Sequence, residues 1–365
     1  MDSENQTELK KDENMDTQPD ETVTESIEEI SSTNTEQEIQ PEHAVPVVQQ
    51  LVLLGAILLL LLGGTFTPKI IAFFQNTSDT VPAAPIYSDT PSQSLNTTKE
   101  SSQIKPFSEI SITGKSAYVW DMQAQRALYK KDAGQQLPLA SVTKLMTALV
   151  AHELLSEDSS ITIHNQAILQ DGDSGLLRNE TFKRATLSDL VLMSSSNDGA
   201  YALAVAAGGL LQKANPADAF VHAMNIRAEE LSLHDTYFKN PTGLDISESI
   251  GGAYGTAKDI AFLMEYIVVN QPNILEATQD NIKRLYSKDG IYHDAINTNY
   301  HIDEIPGLIG SKTGYTDLAG GNLVIAFDAG LNRPMVISVL GSTRQERFTD
   351  VLKLVKEVQN YVAQQ

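Results

Sequence analysis

The chain has 365 residues, 41% of them hydrophobic, which is enough for one or two domains with a real core. Its formal net charge of −21 argues against a nucleic-acid partner. Cysteine is absent, so disulfides and thiolate metal sites are excluded, although an exported protein can lack both.

Residues 1–44 read as a disordered acidic tail. Positions 1–43 hold fourteen Asp and Glu against Lys10 and Lys11, and no aromatic residue. Residues 45–67 read as a transmembrane signal anchor. Val47 to Phe66 carry no charge, and Leu58 to Leu62 put leucine on every face of a helix; roughly 20 such residues cross a bilayer. A cleaved signal peptide would need a basic n-region and a small-residue cleavage site, and neither is evident, so the span is expected to be retained. Residues 68–106 read as a flexible linker, rich in Gln, Asn, Ser and Thr from residue 75 and punctuated by Pro82, Pro85, Pro91 and Pro106.

The folded domain is expected over 107–365. Ala117–Met122 and Ala127–Lys130 form a predicted hairpin around a Gln-Ala-Gln turn. Apolar spacing predicts a helix from Ser141 to Leu155, with Pro138 ahead of it. Thr186-Leu-Ser-Asp189 has the form of a capping box opening a second helix through Leu192. Asp198 is expected to cap an alanine-rich helix over Ala200–Ala207. Asn322–Ala329 and Met335–Gly341 are apolar strands joined by Gly330-Leu-Asn-Arg-Pro334, a turn in composition. Phe348, Val351, Leu352, Val355, Val358 and Tyr361 mark one face of a closing helix. Strands at both ends with helices between them predict an α/β domain with a mainly antiparallel sheet flanked by helices.

Three short motifs carry chemistry: Ser141-Val-Thr-Lys144, Ser195-Ser-Asn197 and Lys312-Thr-Gly314. Ser141 and Lys144 lie three apart at a helix start, so their side chains share a face. A serine hydroxyl needs a base, and a lysine amine serves only when burial and a nearby positive charge hold it neutral. Lys312, on a strand facing Ser141, is the candidate for that charge and for binding a substrate carboxylate. Gly314 is expected to let substrate backbone approach the strand edge. Ser195 and Asn197, in a break between helices, offer a proton relay and an amide to hold substrate. Each motif alone has a bland reading: Ser141 as a helix cap, Lys144 as a solvated residue, Ser195–Asn197 as an interhelical loop. All three in order, each in its expected setting, point to an active-serine enzyme without a catalytic histidine. His43, His152, His164, His222, His234, His293 and His301 show no close zinc-ligand spacing, and no metal or cofactor is expected.

At these residues the chain resembles the D-alanyl-D-alanine carboxypeptidase family of low-mass penicillin-binding proteins. The resemblance spans roughly Ile110 to Val362. It includes Leu139-Ala-Ser-Val-Thr-Lys-Leu-Met-Thr-Ala148, Ser195-Ser-Asn-Asp-Gly-Ala200, Phe238-Lys-Asn-Pro-Thr-Gly-Leu244 and Lys312-Thr-Gly-Tyr-Thr-Asp-Leu-Ala-Gly320. It implies a β-lactamase/DD-peptidase-like fold with a helical subdomain, and an acyl-enzyme on Ser141 with Lys144 as proton acceptor. It puts Ser195 in the catalytic set, and Asn197, Lys312, Thr313 and Tyr315 in the substrate-binding set. The backbone N–H groups of Ser141 and Tyr315 would form the oxyanion hole. Arg347 matches a family arginine that could hold the terminal carboxylate, with a surface salt bridge as the alternative. Thr242 stands where the family often has His, which leaves the role of that loop residue open. The family's additional C-terminal β-domain is not expected here, and the N-terminal span would replace its membrane tether.

The implied substrate is the peptidoglycan stem peptide, with β-lactams as inhibitors. That substrate lies outside the cytoplasmic membrane, so the tail is expected inside and the catalytic domain outside. Lys69, read by the positive-inside rule alone, would favour the reverse. A D,D-endopeptidase on crosslinks, a β-lactamase and a catalytically silent wall-binding protein are the alternatives.

Overall fold

The computed structural model describes residues 107–330 and 332–365. The tail, span and linker expected over 1–106 lie outside the described residues. Among the described residues, no helix is long and apolar enough to cross a membrane.

The first strands among the described residues form the expected hairpin, β1 (Ser116–Asp121) and β2 (Arg126–Lys131). A 3₁₀ turn over Ala140–Thr143 leads into α1 (Lys144–Leu154). Then come α2 (Arg184–Met193), α3 (Asn197–Leu211), α4 (Pro216–Glu230) and α5 (Ala257–Asn270). A second hairpin, β3 (Ile282–Tyr286) and β4 (Tyr292–Ile296), precedes β5 (Leu308–Thr316), β6 (Gly320–Asp328) and β7 (Pro334–Ser342). The amphipathic α6 (Glu346–Val362) closes the domain.

Five strands make one antiparallel sheet in the order β5-β6-β7-β1-β2. The β7–β1 pairing joins the two ends of the domain, with Ser116 opposite Leu340. Strand alternation splits β6 and β7 between two cores. Leu323, Ile325, Phe327, Met335, Ile337 and Val339 pack with Phe348, Val351 and Val355 of α6, whereas Val324, Ala326, Val336 and Leu340 face the helical side. A central strand buried on both faces reads as a near-continuous apolar run, as these two do. Each fully buried side chain of this size is worth roughly 1.5–3 kcal/mol.

Several boundaries differ from the sequence expectation, each for a local reason. Ser141 sits in the 3₁₀ turn, one step before the α-helix. The proposed capping box lies inside α2: that helix begins at Arg184, and Asp189 accepts a hydrogen bond from Lys283 Nζ at 2.9 Å. Ser196, rather than Asp198, caps α3, its Oγ accepting from Gly199 N at 2.9 Å. Asp198 occupies the first turn and is buried. In α6 the core face includes Leu354, which the sequence reading omitted, while Leu352 is only partly buried.

Candidate active site

The three motifs converge on one cleft of about 210 Å³, lined by Ser141, Ser195, Thr298, Thr313, Tyr315 and Arg347 among others. Ser141 comes from the 3₁₀ turn, Ser195 and Asn197 from the α2–α3 break, and Lys312 to Tyr315 from β5.

Lys144, in the first turn of α1, is fully buried and reaches three oxygens. Its Nζ lies 2.8 Å from Ser141 Oγ, 2.6 Å from Asn197 Oδ1 and 2.8 Å from the Thr242 carbonyl. Burial lowers its pKa to about 7. The Asn197 amide oxygen and the Thr242 carbonyl are acceptors only. A neutral amine therefore gives its two hydrogens to them and turns its lone pair to Ser141, whose hydroxyl then donates. The arrangement can take a proton from Ser141 without moving a heavy atom.

Asn197 is held in turn, its Nδ2 donating to the Asp171 carbonyl at 2.5 Å. The question of Thr242 is settled by backbone: its carbonyl, rather than its side chain, faces Lys144. Gly243 allows this. It has φ +80°, and a Cβ there would fall 1.9 Å from the Ala140 carbonyl oxygen.

Lys312 is equally buried and donates to Ser195 Oγ at 2.9 Å and to the Thr313 carbonyl at 2.8 Å. Burial, then the neighbouring Lys144 and Arg347, push its pKa down. Two buried lysines with an arginine alongside favour loss of a proton from the pair. A bound carboxylate would restore the charge on Lys312, and that charge would in turn hold Lys144 neutral. Ser195 itself lies at φ 63° and Ala140, beside Ser141, at φ 48°. Non-glycine residues at such angles store strain that the surrounding packing must impose.

Thr313 Oγ1 donates to Thr298 Oγ1 at 2.6 Å. Tyr315 is partly exposed, its hydroxyl donating to Asp317 at 3.1 Å, with Arg344 over its ring. Arg347 is buried and donates to the Gly314 carbonyl at 2.6 Å, which removes the surface salt-bridge alternative. Burial, then Arg344, lowers its pKa to about 10.

Gly314 also has a role that its sequence context did not suggest. A Cβ there would lie 2.9 Å from the Leu139 carbonyl and 3.2 Å from Ser141 N. The missing side chain lets β5 close against the turn that carries Ser141. Sequence reasoning also missed Asn322, fully buried on β6. It donates to the carbonyls of Pro138 and Leu139 at 3.0 Å each and accepts from Gly341 N at 2.8 Å, tying the turn to the sheet. One Asn in an apolar strand was the available signal.

A family model described as D-alanyl-D-alanine carboxypeptidase matches residues 99–343. The chain is 29% identical over 259 residues to the D-alanyl-D-alanine carboxypeptidase DacF of Bacillus subtilis, covering 69% of this chain but only 63% of that protein. It is 28% identical over 256 residues to the D-alanyl-D-alanine endopeptidase of Escherichia coli, covering 68% of this chain and 77% of that protein. Among solved structures, penicillin-binding protein D2 of Listeria monocytogenes in its ampicillin-bound form matches with a TM-score of 0.58 and 28% identity, covering 68% of this chain and 98% of that one. The matched stretch contains all three motifs, and on that basis this chain belongs to the D-alanyl-D-alanine carboxypeptidase family.

Proposed function

We propose that the protein is a serine-type D-Ala-D-Ala carboxypeptidase that removes the terminal D-alanine of peptidoglycan stem peptides. The observation that carries this is the buried Lys144 amine 2.8 Å from Ser141 Oγ, with both of its hydrogens claimed by acceptors. Ser141 Oγ attacks the carbonyl carbon of the penultimate D-alanine as Lys144 takes its proton. The N–H groups of Ser141 and Tyr315 receive the developing oxyanion. As the C–N bond breaks, the proton that Lys144 took is passed through Ser195, whose oxygen already accepts from Lys312, to the departing D-alanine nitrogen, which leaves Lys144 neutral again. Water then attacks the Ser141 ester as Lys144 takes its proton; the acyl–Oγ bond breaks, Lys144 returns that proton to Ser141 Oγ, and the shortened peptide leaves as its carboxylic acid. Lys312, Thr313 and Asn197 bind substrate, and Arg347 supports its terminal carboxylate through β5.

β-Lactams acylate the same serine in this account. Among the described residues, the hydrogen-bond partners of Ser141, Lys144, Ser195 and Lys312 are hydroxyls, an amide, amines and carbonyls, and none is a carboxylate. Rapid deacylation as in a β-lactamase needs a positioned carboxylate, so a stable penicillin adduct is the expected outcome.

The likeness to the E. coli endopeptidase favours one second reading, hydrolysis of D,D-crosslinks by the same acylation chemistry. Mass spectrometry of products from a pentapeptide stem and from a crosslinked dimer separates the two. Release of D-alanine from the pentapeptide alone supports the carboxypeptidase, and cleavage of the dimer alone replaces it with the endopeptidase.

For topology, the proposal is a retained membrane span over 45–67 with residues 1–44 in the cytoplasm and 68–365 outside, because the substrate is extracytoplasmic. External protease on intact spheroplasts should remove the catalytic domain and leave a membrane-bound fragment carrying the tail. A domain protected until lysis overturns this arrangement.

A further inference from the structure

The β3–β4 hairpin carries six side chains on its outer face as three cross-strand pairs: Ile282 with Ile296, Arg284 with Asp294, Tyr286 with Tyr292. All six are exposed, the isoleucines and tyrosines by 55–61%. The inner face is already committed. Leu285 and Ala295 sit in the core, Lys283 Nζ lies 2.9 Å from Asp189 on α2, and His293 Nε2 lies 2.8 Å from buried Glu180. The ribbon is thus anchored from beneath, and its outer rings are pre-positioned. An antiparallel ribbon with one packed face ordinarily turns polar residues outward, yet four of these six are apolar or aromatic.

The chemistry of the face narrows its occupant. Arg284 and Asp294 form a two-pronged ion pair at 2.7 Å each, and the Arg284 guanidinium lies 4.3 Å from the Tyr292 ring centroid. The face has no net charge, so an anionic polymer or lipid surface gains no Coulomb attraction there. A purely apolar partner would have to strip water from the ion pair. Aromatic rings beside a flat, hydrogen-bonding group, with no net charge, suit a neutral sugar chain. Its C–H faces lie on the tyrosines, and its hydroxyl and acetamido groups meet the ion pair.

Position agrees with chemistry. The chain runs from Ile296 on β4 straight to Thr298 and Tyr300, both of which line the candidate active-site cleft. From Tyr292 to Thr298 is roughly 20 Å of extended chain at ~3.3 Å per residue. A polymer whose peptide branch enters the cleft can lay its backbone along this face.

We infer that the outer face of the β3–β4 hairpin is a docking platform for the glycan strand of peptidoglycan, a neutral chain of N-acetylated amino sugars. This rests on the proposed reading of the cleft as a stem-peptide site. The platform would let the enzyme hold polymeric substrate more tightly than a free peptide.

The test uses full-length protein and its Tyr286→Ser/Tyr292→Ser variant, with Tyr286→Phe/Tyr292→Phe as the ring-retaining control. D-alanine release is measured on intact sacculi and on a soluble pentapeptide. The serine variant should lose about 5- to 10-fold in kcat/KM on sacculi, the size expected for one or two lost ring contacts, and nothing on the pentapeptide. The phenylalanine variant should keep both rates. An equal loss on both substrates, or none on sacculi, overturns the platform. A separate binding measurement needs no turnover: Ser141→Ala protein should be retained by sacculi, and a soluble N-acetylglucosamine tetramer should shift the hairpin tyrosine signals. If wild-type protein hydrolysed neither substrate, the carboxypeptidase reading would fail while this binding result still decided the platform. A dimer dissolved by the serine variant, with no sugar binding, would make the face a contact between two copies and refute the inference.

Discussion

Lys144 Nζ lies 2.6 Å from Asn197 Oδ1, and that contact dictates the direction of proton flow at Ser141. The amide oxygen can only accept, so it takes one amine hydrogen; the Thr242 carbonyl takes the other. Only the lone pair is left for Ser141. Asn197 therefore orients the amine of Lys144.

A pH profile follows. Because burial puts the Lys144 pKa at about 7, protonation disables the base on the acid side. kcat/KM should climb through pH 7, with the rate at pH 6 roughly tenfold below its plateau. Lys144→Ala should reduce acylation by about 100- to 10,000-fold and abolish that limb. A flat profile from pH 5.5 to 8.5 would contradict the assignment. The same shift bears on stability. The folded-state pKa lies below the ordinary lysine value of 10.5, so the unfolded chain binds the extra proton between those limits. This lysine's contribution therefore grows as pH rises across that window and is lost as pH falls towards 7.

The two lysines should separate by substrate. Lys312→Ala removes a charge-assisted contact worth on the order of 1.5–3 kcal/mol to a terminal carboxylate. Its loss in kcat/KM should therefore be larger on an acyl-D-Ala-D-Ala acid than on the matching amide. Parallel kinetics on the two would show equal losses if Lys312 served some other purpose.

Gly314→Ala tests the approach of β5 to the nucleophile turn. The added methyl meets backbone atoms at 2.9–3.2 Å, which cannot swing aside as a flexible side chain would. Displacing Ser141 relative to Tyr315 by a few tenths of an ångström should cut acylation by about 10-fold, against about 100-fold for a 1 Å misplacement. Thermal stability should change far less. Unchanged acylation by penicillin would mean that the strand does not fix the turn.

Asn322→Ala predicts the opposite balance. It leaves the Pro138 and Leu139 carbonyls and the Gly341 amide without their partner inside the core. Denaturant unfolding should show a loss of about 1–3 kcal/mol. Asn322→Asp should fare no better, because the buried carboxylate cannot donate to two carbonyls.

The parts legible in sequence were those encoded by local pattern. The terminal strands and α6 show apolar periodicity over many residues, and the motif spacing marked the Ser141–Lys144 pair, the α2–α3 break and the β5 strand. What escaped depends on contacts distant in sequence. Asn322 reaches residues more than 180 positions away, and nothing beside it in the chain hints at that. Thr242 acts through its carbonyl, which carries no side-chain signature. The positive φ of Ala140 and Ser195 is imposed by packing against ordinary preference. Helix starts at Arg184 and Asn197 were misjudged because a capping pattern inside a helix looks the same in sequence as one at its end. The β3–β4 hairpin had no solvent-facing polar stripe to mark it.

The assignment of Ser141 as nucleophile is tested most directly by peptide mapping with mass spectrometry after incubation with penicillin, on wild type and Ser141→Ala. One stoichiometric adduct is expected on the peptide containing Ser141, and neither adduct nor D-alanine release from the variant. An adduct on Ser195, or full activity in Ser141→Ala, would contradict it.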